Sequence, residues 1–527
     1  MDHILTSSSS LFLLLTLLFT IFLSSLYFTF NHFISSTKQT LGFKNYPFLG
    51  TLPEFIANRH RFLDWTFDVL VPLPNHTSIF IRPGKINGIM TAYPPNIEHF
   101  LKIRFDNYHK GPRFVSLLHD LLGTGIFNSD GHLWRIQRKT ASLEFNTRSL
   151  KNFVLDSVRF EITTRLIPIL KAASGSGPDT GLGPGRVLDM QDILERFSFD
   201  SVCKLAFDYD PGCLAGDGSG ESEFMRAFDV AATLSAGRFL YVVPWSWIIK
   251  KWLNVGSEKR LRDSIETVHK FADKIIRTRL EEITSNNNNN NLSSNHQDLL
   301  SRFISTEEIS ARDPNLLRDI VISFLLAGRD STSSGLSWFF WLLSNNPRVV
   351  KKIRNEVDEV RVRAGKQVGD TYNFDELREM NYLHGAISEA LRLYPPVPVD
   401  TRTCLEDDIF PSGDEIKKGW FITYNSYAMG RMESIWGKDC LEFRPERWID
   451  ENRLYKPDNP FKFPIFHAGP RICLGKEMAY LQMKSIVACV VEQFDIDVVE
   501  KKRPYYVLSL TLRMKNGLPV KVNARSQ

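Results

Sequence analysis

The chain has 527 residues, 43% of them hydrophobic, with a net charge of +5 and a pI near 8.7. Such a length buries a large core, and one large enzyme fold can occupy what length alone would divide into roughly three domains. A charge this mild, with no basic run of five or more, sets nucleic-acid binding aside, and six scattered cysteines (Cys203, Cys213, Cys404, Cys440, Cys473 and Cys489) form neither a Cys-x-x-Cys pair nor a disulfide framework, which fits a reduced compartment.

Leu11 to Phe30 is almost uninterrupted Leu, Phe, Ile and small hydroxyl residues, long enough to cross about 30 Å of hydrocarbon as a helix. A cleaved signal would begin with basic residues and end in a small-residue cleavage site. Here Asp2 and His3 come first and no clear site follows, so the stretch reads as an uncleaved anchor. Lys38, Lys44, Arg59 and Arg61 behind it place the body in the cytosol. The expected division is a short luminal N-terminus (1–10), a transmembrane anchor (11–30), a hinge and proline-rich linker (31–60) and one large domain (61–527). In the linker, Tyr46 to Pro53 holds two prolines and a glycine that cannot continue a helix. The sequon Asn75-His76-Thr77 is silent on a cytosolic body.

Gly131 to Arg138 begins a helix on which Trp134 and Arg138, four apart, share a face; alone, this is a surface helix with a half-buried tryptophan. Ala173 to Arg186 is glycine-rich, but Pro178 and Pro184 stand where a phosphate loop needs a strand and a helix, so it reads as a linker. The asparagine run 286–291 reads as a disordered surface loop. Asn315 to Ser344 is helical and very apolar, a central helix of roughly 45 Å. Ala327-Gly328-Arg329-Asp330-Ser331-Thr332 interrupts it with charged and hydroxyl groups. These are costly in a buried helix unless employed, and the bland alternative is a self-bonded kink. Asp375 to Leu393 is a further helix stopped by Pro395-Pro396, with Glu389 and Arg392 paired on one face.

The most specific stretch is Phe466-His467-Ala468-Gly469-Pro470-Arg471-Ile472-Cys473-Leu474-Gly475, which runs into an apolar helix over 476–493. Glycines on both sides of Cys473 allow a tight loop and close backbone approach. The helix N-terminus faces the sulfur and lowers its pKa, and Arg471 adds a cation whose fork suits a carboxylate. Phe466 supplies an apolar wall.

This loop resembles that of the cytochrome P450 family, the haem-thiolate monooxygenases. The resemblance implies that the fold is mainly α with a smaller β-rich part, here preceded by one transmembrane helix. It also implies that Cys473 is the axial ligand of haem b, a ligand that favours O–O cleavage. Four further motifs follow in the family's order. Trp134 and Arg138 match the helix that donates to a haem propionate, and Arg402 matches a further propionate arginine. Ala327 to Thr332 resembles the oxygen-activation motif: Gly328 opens a groove for O2, and Asp330 with the next hydroxyl relays protons. Ser331 replaces the usual threonine, and Thr332 could share its role. Glu389, Arg392 and Arg447 of Pro445-Glu446-Arg447-Trp448 match a structural triad that holds the cysteine loop. Tyr46 to Pro53 looks like the family's membrane hinge, and Val397 and Pro398 fall where substrate touches the fold.

Gly125 to Gly131, Ser323 to Asp330 and Tyr427 to Gly437 are similar to the plant clan of fatty-acid omega-hydroxylases, in the branch with jasmonoyl-isoleucine oxidases and steroid side-chain hydroxylases. The implied reaction is NADPH- and O2-dependent hydroxylation of the terminal carbon of an extended lipid chain. A fatty acid comes first, then the C-26 side-chain carbon of a cholesterol-derived sterol, then jasmonoyl-isoleucine. Arg402 where relatives often carry lysine, and His467 where they often carry glutamine, identify no substrate. With no dinucleotide or flavin motif, electrons must come from a separate NADPH-cytochrome reductase, which a basic face of Lys462, Arg471, Lys476 and Lys484 would attract. The implied location is the endoplasmic reticulum membrane. A peroxide-consuming haem-thiolate isomerase or dehydratase would lack the proton-relay motif, and a haem sensor or membrane carrier would need no reductase-dependent NADPH oxidation.

Overall fold

The computed structural model describes residues 42–84, 86–145, 147–175, 186–215, 222–243, 245–288, 298–310 and 314–525, together with Thr16, Leu17, Thr20, Ile21 and Ser24. The expected luminal N-terminus and anchor therefore lie almost wholly outside the described residues, as does most of the glycine-rich linker. Among the described residues no helix is long and apolar enough to cross a membrane.

The prolines of the expected hinge begin structure as well as end it. Tyr46 bridges Gly50, and Pro53 sits in the first turn of α1 (Leu52–Asn58), where its missing N–H forfeits no hydrogen bond. The next helix, α2 (Phe62–Leu70), brings Trp65 against Phe43 and Phe55. These rings pack on a five-stranded sheet built from β1 (Thr77–Arg82), β2 (Ile86–Thr91), β3 (Tyr108–His109), β4 (Val399–Cys404) and β5 (Phe421–Asn425), in the order β1-β2-β5-β4-β3. Strands β2 and β5 are parallel, with Ile89 opposite Ile422, and the other pairs are antiparallel.

Helices dominate the rest. They include α3 (Gly111–Leu122), α4 (Gly131–Ser142), α5 (Met190–Phe207), α6 (Ser222–Gly237), α7 (Gly256–Asn288), α8 (Pro314–Leu325), α9 (Ser331–Ser344), α10 (Pro347–Arg363), α11 (Phe374–Glu379), α12 (Asn381–Leu393) and α13 (Lys476–Gln493). Asp189 caps α5 by accepting the N–H groups of Gln191 and Asp192. One apolar core joins α9, α10, α12 and α13, where Trp338 stacks on Tyr394 at 4.2 Å. A second joins α3 and α5 to α8 around Phe199, Phe224 and Phe271.

Three expectations about elements change. The backbone of α7 stays helical through Asn288, so the asparagine run starts as helix. The helix expected over Asp375 to Leu393 breaks at Met380, because Glu356 of α10 accepts the N–H groups of Tyr382 and Leu383 at 2.7 and 2.8 Å and starts α12 afresh. The central helix is two helices, α8 and α9, joined by one π turn over Leu326–Asp330.

Glu389 and Arg392 are fully buried and bidentate, at 2.8 and 2.7 Å. Arg447 and the Trp448 indole also donate to Glu389, and Arg392 donates to the carbonyls of Gly430, Cys440 and Glu442. With both partners satisfied, removing one leaves a buried charge unpaired, at about 3–5 kcal/mol. Trp448 then packs on Phe463 at 4.6 Å, one residue before the turn Pro464–Phe466 that leads into the cysteine loop.

Candidate active site: a cysteine loop, a cation cluster and an apolar cavity

The cysteine loop turns twice through left-handed backbone, at His467 (φ 61°) and Gly469 (φ 67°). A side chain at Gly469 would collide with the Leu101 carbonyl, so glycine is required there. The Cys473 N–H donates to Phe466 O at 2.8 Å, which closes the loop, and Phe466 packs on Tyr480 of α13. Cys473 is the exposed one of the six cysteines. Its thiol is pushed up by burial; the Gly475 N–H, Arg138 and Lys476 pull the other way without prevailing. The cations acting on the sulfur are Arg138 and Lys476, while Arg471 is engaged with Trp134 and Asp130.

Arg138 donates to the Ile472 carbonyl at 2.6 Å. Arg471 lies over the Trp134 ring at 4.3 Å and donates through Nη2 to Asp130 (2.7 Å) and Ser129 O (2.9 Å). Asp130 also accepts the Lys110 N–H, which ties α3, α4 and the loop together. On β4, Arg402 donates to Asp400 at 2.8 Å and to His467 Nε2, and Lys110 Nζ donates to Asp400 at 2.8 Å. Burial works against charge on Asp400, but Arg402, Lys110 and His467 outweigh it and hold the carboxyl well below its usual range. Burial and Arg402 push Lys110 down to about 7, and burial and Arg402 bring Arg471 to about 10. His467, pushed by burial to about 4, is neutral and can accept from Arg402.

On the central helix, Ala327, Gly328 and Ser331 are half-exposed in a segment otherwise buried. The Ser331 hydroxyl donates to Ala327 O at 2.7 Å, the i−4 bond that accompanies the π turn, while Thr332 is buried beside it. Asp330 accepts from Arg329 at 2.8 Å, and Arg329 continues to Asp229 of α6 at 2.6 Å. Arg513 bridges Asp229 and Glu195 of α5. Burial raises the Asp330 carboxyl and brings Glu195 to about 7, since three carboxylates share two guanidinium groups. A side chain at Gly328 would meet Val202 of α5, so this close helix crossing by itself asks for glycine there.

A cavity of about 250 Å³ lies between α1, α2, the sheet and α3. Phe55, Phe80, Phe114 and Phe239 line it, as do Val397 and Pro398, the two positions expected to touch substrate.

The family model described as Cytochrome P450 matches residues 41–521. The chain belongs to the cytochrome P450 family. It is 48% identical to cytochrome P450 CYP94D108 of Paris polyphylla over 90% of this chain and 91% of that one. It is 45% identical to cytochrome P450 94B1 of Arabidopsis thaliana over 92% and 91%, and 42% identical to cytochrome P450 94A2 of Vicia sativa over 93% of each. As a P450 it is a haem-thiolate monooxygenase, with haem held by a cysteine thiolate, and it works with a redox partner on lipophilic substrates.

The residues present fit that cofactor. Lys110, Arg138, Arg402 and Arg471 converge on only two carboxylates, Asp130 and Asp400, and the Trp134 indole N–H has no acceptor among the described residues. Basic groups left over after Asp130 and Asp400 suit the two propionates of a haem, whose charge would also favour protonated Lys110. Reading the sequence gave no role to Lys110, to Asp130 within the Gly125 to Gly131 stretch, to Asp400 or to His467. The expected basic docking face does not form as expected: Arg471 is turned inward, and Lys484 is buried with Nζ donating to the Leu377 carbonyl. Lys462 and Lys476 remain partly exposed.

Proposed function

We propose that this monooxygenase hydroxylates the terminal carbon of an extended acyl chain, a fatty acid, and that Cys473 is its haem ligand. The carrying observation is the cavity: its wall is mainly aromatic and aliphatic and includes Val397 and Pro398, which suits a flexible apolar chain. The similarity of the sequence to plant fatty-acid omega-hydroxylases supports the same reading.

Trp134, Arg138, Arg402 and Arg471, joined by Lys110, hold the haem propionates. Phe466 keeps water from the sulfur. When bound, the haem activates dioxygen, and the thiolate's electron donation favours O–O cleavage. Ser331 holds a proton on its hydroxyl at the opened turn, with Thr332 in reserve. Asp330, held by Arg329 and raised by burial, holds a proton beside Ser331, and the partly exposed Asp229 ties the same arginine toward solvent. Electrons come from an NADPH-dependent flavoprotein reductase. The apolar stretch over 11–30 anchors the enzyme in the endoplasmic reticulum membrane with its body in the cytosol.

The test is a set of binding-difference spectra of the holoenzyme with a long-chain fatty acid, a hydroxylated sterol and jasmonoyl-isoleucine, followed by product analysis with reductase and NADPH. A high-spin shift and an alcohol from the fatty acid are expected. A response confined to the sterol would move the function to side-chain oxidation.

A further inference from the structure

Two arginines line the apolar cavity without a carboxylate. Arg82 closes β1 and is 8% exposed. Its Nη2 donates to the Tyr241 carbonyl at 2.8 Å, its guanidinium lies 4.0 Å over the Phe55 ring, and its Nε is buried with no hydrogen bond. Arg113, in the first turn of α3, is half-buried over Phe421 at 5.6 Å, and among the described residues its guanidinium has neither an ion pair nor a hydrogen-bond acceptor.

Other buried arginines differ. Arg238 has Glu258 and Asp120, Arg329 has Asp229 and Asp330, Arg392 has Glu389, and Arg402 has Asp400. Arg431 also lacks a carboxylate, but it lies over Tyr427 and does not line the cavity. The one acid on the cavity wall, Asp400, is engaged by Lys110 and Arg402. Burial and then the charge of Arg113 bring Arg82 down to about 10, and burial lowers Arg113 as well. Unpaired charge against apolar walls is costly, and a guanidinium fork is shaped for a carboxylate.

We infer that Arg82 and Arg113 bind the free carboxylate of the substrate and so anchor one end of the acyl chain, leaving the other end for oxidation. This rests on the reading that the cavity holds the substrate. It narrows the substrate class to chains that end in a carboxylate, which a fatty acid and a jasmonoyl-amino acid share and a neutral sterol lacks.

The experiment titrates full-length holoenzyme with a long-chain fatty acid, its methyl ester, jasmonoyl-isoleucine and its methyl ester, and a neutral hydroxylated sterol, reading the spin shift. Wild type is compared with Arg82→Gln, Arg113→Gln, Arg113→Lys and the double glutamine variant, each checked for haem content and for the carbon monoxide difference band. For at least one acid, wild type should prefer acid over ester by about ten- to hundredfold, the worth of a charged hydrogen bond. Each glutamine should erode that ratio, the double variant should bring it near one, and Arg113→Lys should keep part of it. A structural role would weaken acid and ester alike and leave the ratio unchanged, which overturns the proposal. Terminal alcohol from acid and ester with equal affinities would also overturn it, while leaving the proposed function standing. Selectivity for jasmonoyl-isoleucine alone, lost in the variants, would keep the anchor and replace the fatty acid. A response to the sterol alone would overturn both.

Discussion

Ser331 shows how little room one side chain has at this site. Its hydroxyl is bonded to the Ala327 carbonyl across the π turn, and it is half-exposed where Thr332, one position on, is buried. Thr332 therefore faces a different side of the helix, and Ser331 is the hydroxyl that meets the opened turn first. Ser331→Ala should lower product formed per NADPH oxidised by about tenfold or more, within the range of a lost proton donor, with haem incorporation unchanged. Ser331→Thr should keep most of the coupling. Equal coupling in Ser331→Ala and wild type would show that the proton arrives by another route. The cation cluster makes a related point about reading residues. Arg471 and Cys473 stand out in the sequence because they sit in one short motif. Asp130 and Asp400, which orient the arginines, come from segments about 270 residues apart, and neither segment announces the arginine it will meet.

At the scale of elements, the packing of α12 on α13 carries a pH sensitivity. His384 stacks between Tyr455 and Tyr480 at 3.9 Å each, with its Nε2 buried and unbonded. Burial, followed by Lys484 and Lys476, pushes its pKa to about 2. An imidazole whose folded pKa lies below its unfolded value of about 6.5 contributes stability above pH 6.5 that is lost as pH falls. Thermal or urea unfolding should show wild type losing about 2 kcal/mol more than His384→Phe between pH 6.5 and 5. Parallel profiles for the two proteins would contradict the burial argument. The elements themselves were legible to different degrees. The helix over 476–493 was readable to its ends, because Gly475 and the sustained apolar pattern mark it. The break at Met380 was not, because the group that starts α12 is the distant Glu356. The π turn fell in between: charged and hydroxyl residues at 327–332 announced a disturbance, but the packing of Gly328 against Val202 of α5 comes from a distant segment.

Across the whole molecule, the sheet and α1 to α3 wall one apolar cavity, while α4, β4 and the cysteine loop gather the cations. The fold class was legible because the cysteine loop, the central helix and the Glu389–Arg392 pair occur in one order along the chain, and each is placed by it. The cavity was only partly legible. Val397 and Pro398 could be named from the sequence, whereas Arg82 and Arg113 gain their meaning from walls contributed by segments as far apart as Phe43 and Leu510. A chain entering such a cavity lengthwise presents its end and not its middle to the oxidising centre. The measurement that tests this most directly is the position of the hydroxyl in the product formed from a saturated long-chain fatty acid by the full-length holoenzyme with reductase and NADPH. Alcohol concentrated on the terminal carbon is the predicted result; alcohols spread over the interior of the chain would contradict it.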